Sequence, residues 1–260
     1  MSNKKVAFCT LGCKVNQYET NAMIQEFEKA GYNIVEFDEK ADVYVINTCT
    51  VTNMADRKSR QMLRRVKEIN NCAILVAVGC YAQVAKDELE KIPEIDLILG
   101  TNEKKNIVKY VQEFTLKKEE NEGNIKNNVK GQISDVLHCE EYAEFGDVTF
   151  TEKTRAVIKV QDGCDRFCSY CIIPFARGHI RSRKPDSIIS EISKIAKNGI
   201  KEVVITGIHL TSYGRDFKTD AFGKEYRLID LLEEINKIDG IERIRLRLFG
   251  TNINNRWFCR

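Results

Sequence analysis

Over the first hundred residues, runs rich in β-branched and apolar side chains alternate with segments of helical period. This alternation restricts the chain to an α/β fold. The runs VAFCTL, ADVYVINT, AILVAVG and IDLILG are separated by NQYETNAMIQEFEKAG, DRKSRQMLRRVKEI and QVAKDELEKI. Strand and helix in alternation build βαβ units, and hence a parallel sheet with helices on its faces. A helix over EKKNIVKYVQEF closes this first domain near Phe114, which bounds it at residues 1–116.

From Lys117 to Gly131 the text KKEENEGNIKNNVKG is polar, rich in Gly and Asn, and without an apolar period to anchor it. Residues 117–150 are therefore expected to be a linker. A second α/β region, 151–247, follows. It begins with the strand RAVIKVQDG and continues through a helix from Asp186 to Asn198, the strand KEVVITG, the helix RLIDLLEEINKI and a strand from Arg243.

Ten cysteines are many for a chain with no apolar h-region at its start and no run of about eighteen apolar residues. The cytoplasm is the expected location, without membrane partners. Thiols stay reduced there, so metal binding or thiol chemistry is a better reading than disulfides. The net charge of +3 leaves any nucleic-acid contact to local basic patches. The segment RKSRQMLRRVK, with Arg57, Lys58, Arg60, Arg64, Arg65 and Lys67, is one such patch or simply a charged solvent face.

Cys164, Cys168 and Cys171 have the spacing C-x3-C-x2-C, on a loop directly after a strand and a glycine. A structural zinc site is normally closed by four ligands, and His179 lies eight residues beyond Cys171, past Pro174 and Gly178. Three thiolates suit a four-iron cluster that keeps one iron open; the alternative is three free thiols on a loop. The following FARGHIRSRK carries Arg177, His179, Arg181, Arg183 and Lys184, able to hold a carboxylate or phosphate, or else a solvated loop. In VVITGIHLTSYG, Gly207 and Gly214 either let backbone approach a cofactor or are plain turn residues.

Cys13, Cys49 and Cys80 are 36 and 31 residues apart, yet each ends a strand: AFCTLGC, VYVINTC and ILVAVGC. Strands of a parallel sheet point one way, so residues just past their ends share the carboxyl edge, where such sheets bind ligands. Three thiols can converge there, as a ligand set or as buried structural cysteines. Cys9 is separated from Cys13 by about 13 Å of extended chain and lies within its strand. Cys72, Cys139 and Cys259 follow no such pattern and read as small hydrophobes.

The motifs TLGCKVNQYET, INTCTVT and VGCYAQ, together with QDGCDRFCSYCIIPFARG, resemble those of the radical S-adenosylmethionine methylthiotransferases over nearly all of residues 4 to 247. The resemblance implies two 4Fe-4S clusters, one on Cys13, Cys49 and Cys80 and one on Cys164, Cys168 and Cys171. It further implies S-adenosyl-L-methionine on the open iron of the second. Tyr170 matches the aromatic residue before the last cysteine, and Arg177 and Arg183 match positions of the motif. With Gly207 these are the expected cofactor contacts; no catalytic side chain is singled out.

Asn16, Gln17 and Glu19 contribute to wording that most resembles the branch acting on N6-threonylcarbamoyladenosine beside the tRNA anticodon. The reaction implied is insertion of sulfur at C2 of the adenine followed by its methylation. The partners implied are tRNA and an electron donor such as flavodoxin or ferredoxin. Branches acting on isopentenyladenosine or on an aspartate of a ribosomal protein are the alternatives. The family continues into further barrel strands and a small RNA-binding β-domain, whereas LFGTNINNRWFCR, residues 248–260, departs from its pattern. The chain is accordingly expected to be truncated and inactive as it stands, which leaves a non-catalytic iron–sulfur remnant or a zinc-binding module as rival readings.

Overall fold

The computed structural model describes residues 4–120, 130–148, 154–219, 223 and 225–247. The expected tail at 248–260, with Cys259, and the middle of the expected linker lie outside the described residues. The chain divides into two compact units, Met1–Val136 with Tyr170–Ala176, and Leu137–Ser169 with Arg177–Arg260.

The first unit is a six-stranded parallel sheet. Its elements are β1 (Lys5–Thr10), α1 (Lys14–Lys29), β2 (Asn33–Val35), β3 (Val43–Thr48), α2 (Asn53–Ile69) and β4 (Ile74–Gly79). They continue with α3 (Cys80–Val84), α4 (Lys86–Leu89), β5 (Leu97–Leu99), α5 (Ile107–Glu120) and β6 (Lys130–Gln132). The strand order is β2-β1-β3-β4-β5-β6, so the chain winds outward in opposite directions from the gap between β1 and β3. In open α/β sheets that reversal opens a crevice beyond the carboxyl ends of the strands.

Both faces of this sheet are covered, which is why β3 and β4 are buried at every position. Val43, Val45, Val76 and Val78 pack with Met23 and Phe27 of α1 and Val111 and Phe114 of α5. Tyr44, Ile46, Leu75 and Ala77 face the other way, onto Leu63 and Val66 of α2 and onto Tyr81 and Leu89.

The expected linker is partly built into this sheet. Helix α5 runs on to Glu120, and Lys130–Gln132 pairs with β5 in the register Leu97↔Lys130 to Leu99↔Gln132. A polar three-residue strand carries no period of its own; its backbone bonds to β5 make it a strand.

The second unit holds β7 (Arg155–Lys159), β8 (Gln161–Asp162), β9 (Arg181–Ser182), α7 (Pro185–Lys197), β10 (Glu202–Thr206), α8 (Leu228–Ile235) and β11 (Arg243–Arg247). A short helix α6 (Ile173–Arg177) follows the cysteine loop. Strands β11-β10-β7 form a parallel sheet, and β8 and β9 an antiparallel pair. Ile188, Ile192 and Ile195 of α7 and Leu231 and Ile235 of α8 bury Ile158, Val203 and Ile205. This is the α/β architecture expected of the region, with three parallel strands among the described residues.

Candidate metal centres

The strand ends bring the three N-terminal cysteines to one edge. In the β1–β3 register Thr10 lies beside Asn47, and in the β3–β4 register Thr48 lies beside Gly79. Cys49 and Cys80 are therefore each the first residue past adjacent strands, and both are buried. Cys13 caps α1 without a side-chain cap bond and is half-buried.

The glycines beside these cysteines show how close the turns approach. Gly12 has φ of +93°, and a Cβ there would lie 2.6 Å from Cys49 Sγ. Gly79 has φ of +102°, and a Cβ there would lie 2.6 Å from the Thr48 carbonyl oxygen. The Thr48 hydroxyl donates to Val78 O (2.6 Å) and accepts from Ala82 N (3.2 Å), pinning the turn that carries Cys80.

Cys9 stands in β1, and burial raises its thiol pKa above the usual value, against the opposing pull of Lys58 and Arg65. Burial thus disfavours its thiolate form.

In the second unit, Gly163 precedes Cys164 with φ of +70°, and a Cβ there would lie 1.8 Å from the His179 carbonyl oxygen. Only glycine allows that approach. Cys164 N donates to Gly178 O (3.0 Å), Asp165 holds the His179 ring and the Ile180 N–H, and Phe167 takes a left-handed φ of +42°. Cys168 is exposed. Cys171 and Tyr170 fall in the first unit's share of the chain; Tyr170 is 91% exposed.

Among the described residues no three His, Cys, Asp or Glu side chains are gathered as a metal-ion site. A four-iron cluster asks for something wider, because each of its thiolates binds a different iron. The thiol-only donor sets and the glycine-lined approach of the Cys13 and Cys49 turns fit such a group.

In the basic stretch after the second cysteine set the arginines are not solvated, while His179 and Lys184 are exposed. Arg177, Arg181 and Arg183 are among the largest fully buried side chains. Arg177 donates to Asp162 (3.0 Å), whose other oxygen takes Lys159 Nζ (2.6 Å). Arg183 pairs with Glu191 and Glu144, and the Arg181 guanidinium donates to Arg177 O (2.5 Å). Gly207 lies against Gln161, where a Cβ would meet Oε1 at 2.8 Å.

Gln161, Asp162 and His209 escape a reading by motif. The Gln161 amide donates to Asp162 O and Gly163 O, and its carbonyl accepts from His209 N, so it ties the stem of the cysteine loop to the end of β10. Burial, with Arg166 and Arg215 nearby, lowers the His209 pKa. On α2, Arg60, Arg65 and Lys67 are taken up by Tyr81, Asp38 and Asp96, while Arg57, Lys58 and Arg64 are exposed. Among the described residues no helix is long and apolar enough to cross a membrane.

Two family models match the chain: "Uncharacterized protein family UPF0004" over residues 5–100 and "Radical SAM superfamily" over residues 158–259, the latter running through the segment expected to diverge. The chain thus carries a radical S-adenosylmethionine domain behind a UPF0004 domain. A radical S-adenosylmethionine methyltransferase, TsrM, from Kitasatospora setae shares this fold with a TM-score of 0.53 at 14% identity, over 80% of this chain and 48% of that one.

The two matched domains together span most of the chain, and the curated relatives that match it over more than nine-tenths of its length are methylthiotransferases. The threonylcarbamoyladenosine tRNA methylthiotransferases MtaB of Bacillus subtilis and Aquifex aeolicus are 41% and 43% identical to it, over 93% of this chain and 50% and 55% of theirs. The ribosomal protein uS12 methylthiotransferase RimO of Desulfitobacterium hafniense is 40% identical over 94% of this chain and 52% of its own. The chain spans about half the length of the curated relatives it matches.

Proposed function

We propose that this chain supplies the two iron–sulfur-binding portions of a tRNA methylthiotransferase acting at C2 of N6-threonylcarbamoyladenosine. The observation that carries the reading is the delivery of Cys13, Cys49 and Cys80 to one carboxyl edge, beside the β1/β3 reversal, in a chain that also bears the Cys164, Cys168 and Cys171 loop. Two separate thiolate trios suit two 4Fe-4S clusters, the second leaving an iron for S-adenosyl-L-methionine. When bound, that pair supplies hydrogen abstraction from an unactivated C–H and the transferred methyl group, chemistry that belongs to the cofactors.

The chain's own residues bind and orient. Tyr170, exposed beside Cys171, and Gly207, with its bare backbone, are the proposed cofactor contacts with Arg177 and Arg183. The two arginines work chiefly through their carboxylate partners: Arg177 braces Asp162 beneath the loop, and Arg183 braces the end of β9. Exposed Arg57, Lys58 and Arg64 are offered to tRNA phosphates, and the electron donor is an external one-electron carrier such as flavodoxin or ferredoxin.

The 40% identity to RimO supports a second reading, methylthiolation of ribosomal protein uS12. One experiment separates the two. The chain is fused to the remaining C-terminal half of the Bacillus subtilis relative and expressed in a strain lacking its own MtaB and RimO. Nucleoside mass spectrometry should show 2-methylthio-N6-threonylcarbamoyladenosine, and Cys49→Ala should abolish it. Modified uS12 with unmodified tRNA would replace the first reading by the second, and neither product would overturn both.

A further inference from the structure

The turn that carries Cys13 is held by no side-chain helix cap, since Cys13, the residue before α1, makes no cap bond. What holds it is Asn16, whose side chain is wholly buried. Its amide nitrogen donates to two carbonyl oxygens from different strand ends, Leu11 O at 2.8 Å and Thr48 O at 2.9 Å. Leu11 stands two residues before Cys13, and Thr48 immediately before Cys49. The contact is reciprocated: Asn47 Nδ2 donates to Asn16 O (2.9 Å) and to Thr20 Oγ1 (3.0 Å), and Leu11 N donates to Asn47 O (2.9 Å). Gly12 lies inside this clamp, where a Cβ would sit 3.5 Å from Asn16 Nδ2 and 2.6 Å from Cys49 Sγ.

We propose that Asn16 is the positioning residue of the N-terminal thiolate trio, a two-donor clamp that sets the Cys13-to-Cys49 spacing an iron–sulfur cluster needs. The proposal rests on the cluster-binding role proposed above. A carboxamide suits the task because one planar NH2 group reaches two carbonyl oxygens at once. An aspartate of the same shape has no donor and turns oxygen toward both carbonyls. A glutamine places the amide one methylene too far in a site with no spare room. Groups that orient ligands from behind commonly govern metal affinity about tenfold or more.

The test uses the full chain with Cys164, Cys168 and Cys171 all changed to alanine, so that only the N-terminal trio takes up iron. After anaerobic reconstitution, iron content and the electron paramagnetic resonance spectrum of the reduced cluster are read. Separately, the apo chain is treated with dibromobimane, which joins two thiols only at short range, and the Cys13–Cys49 product is quantified by peptide mass spectrometry. The parent should hold about four irons, and Cys13→Ala should lose them.

Asn16→Ala and Asn16→Asp should each lower iron retention against a chelator, and the cross-linking rate, about tenfold, with the far-ultraviolet circular dichroism of the parent. If Asn16→Ala does not fold, Asn16→Ser, which keeps one donor, should fall between parent and Asn16→Asp. Parent-like iron, spectrum and cross-linking in the Asn16 variants, with Cys13→Ala defective, would overturn the clamp alone. Rescue by Asn16→Asp would overturn it too, since that shows a need for volume and not for donors. Four irons retained by Cys13→Ala would overturn the cluster assignment itself.

Discussion

Replacing Gly79 by alanine should destabilise the first unit far more than the same change at Gly31. Gly79 sits at φ +102° and ψ −163°, a region that essentially only glycine occupies. Forcing alanine there costs about 1–3 kcal/mol of backbone strain. The added Cβ would also lie 2.6 Å from Thr48 O and 3.0 Å from Thr48 N, backbone atoms fixed by the β3–β4 pairing and unable to swing aside. Overpacking of this kind adds about 1–3 kcal/mol, for a total of about 2–6 kcal/mol. Gly31 also has positive φ, +83°, but open space around it, so Gly31→Ala should cost only the strain, about 1–2 kcal/mol. Domains of this kind are stable by about 5–15 kcal/mol, so the difference is large enough to read. Amide hydrogen exchange of peptides covering β3 and β4, followed by mass spectrometry, isolates the first unit; exchange there should speed up about thirtyfold or more in Gly79→Ala. Protection within about 0.5 kcal/mol of that in Gly31→Ala would refute the close approach of the Cys49 and Cys80 turns.

Other consequences can be checked on the same chain. Lys104 and Glu19 form a fully buried ion pair at 2.5 Å, so Lys104→Met, which removes the cation from a buried carboxylate, should cost about 3–5 kcal/mol in urea denaturation, and Lys104→Met with Glu19→Leu distinctly less. An additive double mutant would contradict this. The His209 pKa is lowered on folding, so the folded state takes up fewer protons than the unfolded one; its contribution is present above the ordinary imidazole value of about 6.5 and lost as pH falls through the folded value. His209→Gln should flatten the fall in stability between pH of about 7.5 and 5.5, and parallel profiles would contradict it. Iodoacetamide should modify exposed Cys72 well before Cys9, whose thiol is pushed up by burial, and Cys9→Ala should leave iron content unchanged; preferential labelling of Cys9, or iron lost with it, would return Cys9 to the ligand set.

The sheet of the first unit was legible where a strand is a continuous β-branched run, as in β1, β3, β4 and β5. The edge strands β2, Asn33–Val35, and β6, Lys130–Gln132, were not, because three residues carry no period and their pairing partner makes the strand. QVAKDELEKI reads as one helix but is broken at Ala85, with φ −120° and ψ 37°, between α3 and α4. The cysteine edge was legible because a parallel sheet converts "after a strand" into a place. The clamp beneath it was not: Asn16 and Asn47 are 31 residues apart, and an asparagine in the first turn of a helix looks only like a weak helix former. The burial of Arg177 and Arg183 was hidden for a similar reason, since Asp162 and Glu144 lie 15 and 39 residues earlier in the chain and the local text FARGHIRSRK is dominated by basic side chains.

The central claim, two independent thiolate trios each holding a four-iron cluster, is tested most directly by iron and sulfide analysis after anaerobic reconstitution of the 260-residue chain and its single variants. The account predicts about eight irons for the parent and about four for each of Cys49→Ala and Cys168→Ala, with S-adenosyl-L-methionine perturbing the electron paramagnetic resonance spectrum of Cys49→Ala but not that of Cys168→Ala. Stoichiometric zinc in place of iron, or about eight irons retained by Cys49→Ala, would contradict it.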